Sequence, residues 1–320
     1  MHDSQEVIQS KEFQVAAFYC FISLEEKVIT SLLKHLSSYA EEQQVKGTVL
    51  LATEGINGTI CGPSKGVSSL LEVLNVALST KTLQVKFSWT STQAFRRFKA
   101  RKKCEIVTMG ISGIDPAKLV GDYVAPTNWN SLLSDPDTLV IDTRNQYEIA
   151  IGTFQGALNP HIGTFRDFPA WVDKYLRQLV DKKHSRRIAM FCTGGIRCEK
   201  ATSYLLQEGF KEIHHLQGGI LKYLEDVSVK ESLWHGECFV FDKRVALNHK
   251  LMPGVHSLCH ACGMPLTPDE CQIKSYVRGV QCLHCEDRYT EQDRERFAER
   301  QRQIDERIKK LPDNIPGDYA

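Results

Sequence analysis

The feature that most limits what this chain can fold into is the stretch at residues 187–207, RIAMFCTGGIRCEKATSYLLQ. A short apolar run leads straight into a cysteine, two glycines follow, and a helical pattern runs from Cys198 to Gln207. Strand, glycine loop and helix in that order form an α/β arrangement with a functional loop at a strand's C-terminal end. The neighbouring sequence agrees, because residues 139–142 read as another buried strand and residues 171–180 as a helix.

Each residue of the loop suits thiolate chemistry. Thr193, Gly194, Gly195 and Ile196 let successive backbone N–H groups turn inward as an anion nest, and a helix start and the Arg197 guanidinium add positive potential. Cys192 is therefore expected to have a lowered pKa and to act as a nucleophile or persulfide carrier. An inert buried cysteine is the ordinary alternative, but packing alone gives no reason for a Gly-Gly pair at this point. Cys198, on the following helix, reads either as a second redox thiol or as a core residue.

Upstream, residues 13–22 read as a strand, 24–42 as a helix, 48–53 and 59–61 as a hairpin, 65–78 as a helix and 83–89 as a strand. The Asn57-Gly58 pair marks the expected hairpin turn. This β-α-β-β-α-β order predicts a ferredoxin-like, acylphosphatase-like α+β sandwich. Residues 104–111 read as one more strand and 121–129 as a linker, so the divisions expected are 1–120, 121–228 and 229–320. The class is α/β multidomain, with a parallel sheet in the central domain.

The last part carries Cys259-His-Ala-Cys262 and Cys282-Leu-His-Cys285, two knuckles separated by 19 residues. Four thiolates so spaced predict a zinc ribbon with a closed, structural ion. His256, His260 and His284 are substitutes for a ligand at most, and Cys271 reads as a bystander. Residues 289–310 are almost wholly charged or amide-bearing and read as an exposed helix. With 11 cysteines, no basic-then-apolar leader and no run near the roughly 18 apolar residues of a membrane span, a reducing cytoplasm without membrane attachment is expected.

Arg96, Arg97, Lys99, Arg101, Lys102 and Lys103 place six basic residues in eight positions, with Phe95 and Phe98 interleaved. Such a segment could track RNA phosphates while its aromatic rings stack on an exposed base; a solvated strand or helix edge is the plainer reading.

These motifs resemble those of the tRNA wobble-uridine hydroxylases of the rhodanese superfamily. The matching stretches are residues 52–59 (ATEGINGT), 103–107 (KCEIV), 124–130 (VAPTNWN), 140–144 (VIDTR), 191–200 (FCTGGIRCEK) and 216–221 (LQGGIL), spread over nearly the whole chain. Asp142 and Arg144, with Glu148, are similar to the rhodanese Asp-x-Arg element. The Gly-His-Ile that usually follows is replaced here by Gly152-Thr153-Phe154. The six residues from Cys192 to Arg197 match the rhodanese loop, whereas cysteine phosphatases use one more to encircle a phosphate. The resemblance implies oxygen-dependent hydroxylation of carbon 5 of a tRNA wobble uridine, with Cys192 as catalytic thiol and Arg197 stabilising its anion. Molecular oxygen is then the co-substrate, and no flavin or nucleotide motif is evident. A sulfurtransferase carrying a Cys192 persulfide is the alternative enzyme, and an RNA- or protein-binding module without catalysis is a third reading. Oligomeric state stays open.

Overall fold

The computed structural model describes residues 13–79, 81–183 and 187–309; the N-terminal stretch on which the expectation about a leader falls, and position 310 of the charged tail, lie outside these. The first elements are β1 (Phe13–Phe21), α1 (Glu26–Glu42), β2 (Lys46–Ala52), β3 (Gly55–Gly62), α2 (Ser64–Leu78) and β4 (Gln84–Thr90). They form the expected sandwich, with sheet order β4-β1-β3-β2 extended by β5 (Phe98–Lys102), which pairs in parallel with β2. Both helices bury one apolar stripe, Ile29, Leu32, Leu36 and Ala40 of α1 and Val67, Leu70, Leu71, Leu74 and Leu78 of α2. These pack on Ala16, Phe18, Ile56 and Ile60 of the sheet. Each buried leucine or isoleucine contributes about 1.5–3 kcal/mol relative to exposure. The residues that alternate with them, Ala17, Tyr19, Asn57 and Thr59, therefore face the other way, where a second domain covers the sheet.

Three local expectations are corrected. The hairpin turns at Thr53 and Glu54, and Asn57-Gly58 lies inside β3. Gly58 is there for space: a Cβ would sit 2.7 Å from both the Phe18 ring and the Thr48 carbonyl oxygen. Residues 104–111 form no strand, because side chains take their backbone groups. Ile106 N–H donates to Glu54 at 2.6 Å, Asn57 Nδ2 donates to the Ile106 carbonyl at 2.8 Å, and Glu105 accepts from Met109 and Gly110 N–H at 3.0 Å each. The stretch at 121–129 is not a linker, since it contains β6 (Asp122–Val124) and the start of α3 (Pro126–Leu133).

The second domain continues through β7 (Thr138–Asp142), α4 (Gln146–Ile149), β8 (Gly152–Phe154), α5 (Phe168–Trp171), a π turn (Val172–Leu176), α6 (Arg177–Lys183), β9 (Arg187–Phe191), α7 (Ile196–Gln207), β10 (Ile213–Leu216) and α8 (Gly219–Asp226). Its sheet is wholly parallel in the order β6-β10-β9-β7. Ile141 and Met190 pack into one apolar cluster, while their chain neighbours Val140 and Phe191 pack into another with Trp129 and Tyr223. Both faces are thus covered, as parallel strands require. β11 (Trp234–Gly236) pairs with β8 and leads through β12 (Cys238–Phe239) and β13 (Ala246–Leu247) into the cysteine-rich part, where β14 (Ser257–Leu258) pairs with β15 (Pro265–Leu266). α9 (Glu291–Lys309) closes the described chain, and no described helix is long and apolar enough to cross a membrane.

Candidate active site

β9 ends at Phe191, and Cys192 begins the turn into α7 with its side chain fully buried. Gly195, at φ 102°, is the N-cap of α7, and its N–H donates to Cys192 Sγ at 3.1 Å. Only glycine suits that position, since a Cβ would also meet the Tyr19 hydroxyl at 2.8 Å. The first turn of α8 fixes the loop from below, with Ile220 N–H on the Cys192 carbonyl at 2.9 Å and Leu221 N–H on the Thr193 carbonyl at 3.1 Å. Gly219, at φ 69°, lets α8 approach so closely, because a Cβ there would lie 2.5 Å from the Cys192 carbonyl oxygen.

Burial pushes the Cys192 thiol up, but the Cys198 thiol, the Arg197 guanidinium and the backbone N–H groups of Cys198 and Gly195 together bring it down to about 5. Cys198 moves the opposite way, raised by burial and by its thiolate neighbour, and lies 3.6 Å from the Thr143 hydroxyl. Cys192 therefore carries the charge and Cys198 donates to it. Arg197 is held in turn by Glu148, with Nη1 and Nη2 on the two carboxylate oxygens at 2.6 and 2.8 Å. Burial raises the Glu148 pKa, yet Arg197 prevails and holds it below the usual carboxylate range.

Asp142 and Arg144 form a second, fully buried pair, joined to the first where Arg144 Nη1 donates to the Glu148 carbonyl at 3.3 Å. Arg144 donates to Asp142 at 2.9 and 2.6 Å and to the Gly152 carbonyl at 2.6 Å, and its guanidinium lies 5.1 Å from the Trp234 ring centre. Thr153, at the position where this chain departs from the usual motif, donates to Asp142 at 2.9 Å. This group of contacts holds the β7, β8 and β11 region together.

The cleft above Cys192 is built by two domains. A cavity of about 310 Å³ is lined on one side by Cys192, Thr193, Gly194, Ile196 and Arg197 and on the other by Ala17, Tyr19, Asn57, Thr59 and Lys86 of the N-terminal sheet. Lys86 donates to the Gly194 carbonyl at 2.7 Å, and its ammonium lies 4.7 Å from the Tyr19 ring centre. Tyr19 donates to Glu199 of α7 at 2.7 Å. Lys200, the last residue of the loop motif, is buried and donates to Glu54 at 2.7 and 2.9 Å and to Glu105 at 2.6 Å. These contacts lock the two domains around the cleft. Sequence reading missed Tyr19, Lys86, Glu199 and Lys200 as site residues; the available signal was β1 itself, FQVAAFYCF, which has no polar face and so asks for cover on both sides.

The basic segment is the edge strand β5 and its flanks. Arg96, Arg97, Arg101, Lys102 and Lys103 are exposed and Lys99 is half-buried; Lys102 pairs with Glu26 at 2.7 Å. Phe95 and Phe98 pack against apolar clusters instead of standing free to stack on a base. Both the solvated-edge reading and phosphate contact fit this geometry, since a charged edge also discourages unwanted strand pairing.

Cys259, Cys262, Cys282 and Cys285 come together with all four Sγ atoms within 4.8 Å of one another. Three of the separations are 4.0, 3.8 and 3.7 Å. A tetrahedron of sulfurs about 2.3 Å from a central ion has edges of about 3.8 Å, so the set fits a metal such as zinc. His256 instead contacts Glu237 at 2.6 Å and His284 contacts Glu270 at 3.3 Å, while Cys271 lies 3.6 Å from the Ser257 hydroxyl.

Comparison with known proteins agrees with this architecture. Residues 13–106 match the family described as UPF0176 acylphosphatase like domain, and residues 126–226 match the rhodanese-like domain. A protein of Prochlorococcus marinus strain NATL2A named tRNA uridine(34) hydroxylase is 56% identical over 95% of this chain and 95% of its own length. Its namesakes in strains MIT 9303 and SARG are 61% and 57% identical, over 93% and 98% of this chain and 96% of their own lengths. Similarity of this extent, over both domains and the cysteine-rich part alike, makes the chain a member of the tRNA uridine(34) hydroxylase family of rhodanese-domain proteins.

Proposed function

We propose that this protein hydroxylates carbon 5 of the wobble uridine of tRNA in the cytoplasm, with molecular oxygen as co-substrate and Cys192 as the catalytic thiol. The observation that carries this reading is the near full-length similarity to proteins named for that activity, joined to a thiolate at the floor of a base-sized cleft. Arg197, the Gly195 N–H and the α7 N-terminus hold the charge on sulfur, so Cys192 is ionised and nucleophilic at neutral pH. Thr193, Gly194 and Ile196 shape the anion-binding loop, and Asp142 and Arg144 support it from the scaffold. Cys259, Cys262, Cys282 and Cys285 would hold a structural zinc ion, which closes the C-terminal module and offers no open position for chemistry. Arg96, Arg97, Lys99, Arg101, Lys102 and Lys103 would meet the tRNA backbone. The relatives' names favour hydroxylation over persulfide transfer.

Nucleoside mass spectrometry of tRNA from cells lacking the protein, complemented with wild type or Cys192→Ser, tests the reading. The expected result is 5-hydroxyuridine derivatives with wild type and none with the variant. Loss of a thiolated base instead would point to sulfur transfer, and hydroxylation that persists with Cys192→Ser would overturn the role given to the thiol.

A further inference from the structure

One face of the N-terminal sheet is occupied by α1 and α2, and the opposite face roofs the thiol. Strand register sets that roof in rows. Ala17 lies between Thr59 and Lys86, and Tyr19 lies between Asn57 and Gln84. The row above the loop is thus cation, methyl, hydroxyl, and the small residue at its centre leaves the cavity open. At about 310 Å³ the cleft is at the small end of ligand pockets and admits one flat ring between the loop and the roof. An unpaired anticodon base reaches such a pocket at low unstacking cost.

The two cations in the cleft differ. Arg197 pairs through Nη1 and Nη2 with Glu148 at 2.6 and 2.8 Å and stabilises the thiolate, so its charge is already matched by two anions. Lys86 gives one N–H to the Gly194 carbonyl and carries two more. A uracil ring over Cys192 thus has a nucleophile below it and an ammonium at the rim. Carbon 5 of uracil is a poor nucleophile until a group adds at carbon 6, and the addition places negative charge on oxygen 4.

Resting on the hydroxylase reading above, we propose that the cleft is a uracil pocket in which Cys192 adds to carbon 6 of the base, and that Lys86 is a catalytic residue donating to oxygen 4. The thiolate lone pair forms the S–C6 bond, the C5–C6 π pair moves to C4–C5, and the carbonyl π pair comes to rest on oxygen 4 beside the Lys86 ammonium. The enolate takes a proton from water at carbon 5. Loss of the original hydrogen to water, with cleavage of S–C6, regenerates uracil and thiolate. This cycle consumes no oxidant, and it prepares carbon 5 as the nucleophile that an oxidised oxygen species would meet.

The consequence is hydrogen exchange at carbon 5 without oxygen. Full-length protein is incubated anaerobically with a tRNA transcript made with [5-³H]uridine, and tritium released to water is counted. Wild type should release tritium, Cys192→Ser none, and Lys86→Met about 100-fold more slowly, the usual cost of losing an oxyanion donor. Lys86→Arg should recover part of the rate. The pH profile separates chemistry from mere support of Gly194. Burial lowers the Lys86 ammonium to about 8 against the opposing pull of Cys192 and Glu199, with Lys222 and the Tyr19 ring also nearby. Exchange should therefore rise as Cys192 ionises near about 5 and fall as Lys86 deprotonates near about 8, and Lys86→Arg should move only the alkaline limb upward. Cys192-dependent 5-hydroxyuridine in cells without anaerobic exchange would overturn the adduct and leave the hydroxylase reading standing. Exchange by Lys86→Met at the wild-type rate, with an unchanged melting temperature, would overturn the role of Lys86. Absence of both exchange and 5-hydroxyuridine would bring down the hydroxylase reading and the pocket together.

Discussion

The protein uses sulfur in two opposite ways. At Cys192 a single thiolate is stabilised by the neutral Cys198 thiol, a guanidinium, N–H dipoles and a helix N-terminus, and it faces a cavity. At Cys259, Cys262, Cys282 and Cys285 four thiols face one another with sulfur separations down to 3.7 Å, an arrangement that only a shared cation makes favourable once they ionise. The first arrangement leaves the sulfur open to a reacting atom, and the second would commit each sulfur to a shared ion. The difference teaches that what surrounds a cysteine, and not how many cysteines cluster, decides whether it reacts.

The sharpest way to break this comparison is to remove one member from each site. Cys282→Ser should abolish binding of one metal ion per chain by elemental analysis and unfold the C-terminal module, seen as rapid proteolysis within residues 257–290, because structural zinc contributes on the order of 10 kcal/mol. Cys192→Ser should leave metal content and the protease resistance of the C-terminal module unchanged while abolishing activity. A Cys282→Ser protein that keeps its metal and its protease resistance would remove the basis for calling the cluster structural.

The two sites were legible in sequence for the same reason: each is local. Six consecutive residues carry the thiol, its nest and its guanidinium, and two C-x-x-C knuckles carry the cluster. What could not be read was long-range. Lys86 reaches the loop across 108 positions and Lys200 reaches Glu54 across 146, and no short spacing predicts either contact. The ferredoxin-like element order was legible because its helices have clean apolar stripes, while the turn was misplaced because Gly58 answers to the Phe18 ring, a packing demand that mimics a turn signal. Residues 104–111 looked like a strand from composition, but side chains of Glu54, Asn57 and Glu105 satisfy their backbone groups.

A second test concerns the ion pair behind the thiol. Glu148→Ala leaves the buried Arg197 guanidinium without its carboxylate partner and should destabilise the fold by about 3–5 kcal/mol, read by urea unfolding. A loss below about 1 kcal/mol would mean that Arg197 finds another partner, and would weaken the view that the thiolate rests on a rigid cation.

The charge on Cys192 gives the next test. Reaction with iodoacetamide as a function of pH should show a midpoint near about 5 for Cys192, and Arg197→Met should move it upward. Because the folded thiol is depressed below its ordinary value near 9, its ionisation stabilises the fold fully at alkaline pH, and that contribution is lost as pH falls from about 9 through about 5. The cluster cysteines should stay unreactive until a chelator is added, whereas Cys192 should react identically with or without it.

The smallest effect is expected at Thr153, where this chain departs from the usual rhodanese motif. Its hydroxyl donates to Asp142 at 2.9 Å, but Asp142 also holds Arg144 through both oxygens, so Thr153→Val should cost only about 1 kcal/mol. Because Asp142 and Arg144 lie behind the scaffold and Glu148 alone grips Arg197 with both oxygens, the iodoacetamide midpoint of Cys192 should not move in this variant. An upward shift would show that the Asp142–Arg144 pair tunes the thiol as well as bracing the fold, and would erase the distinction between the buried pair that supports and the buried pair that activates.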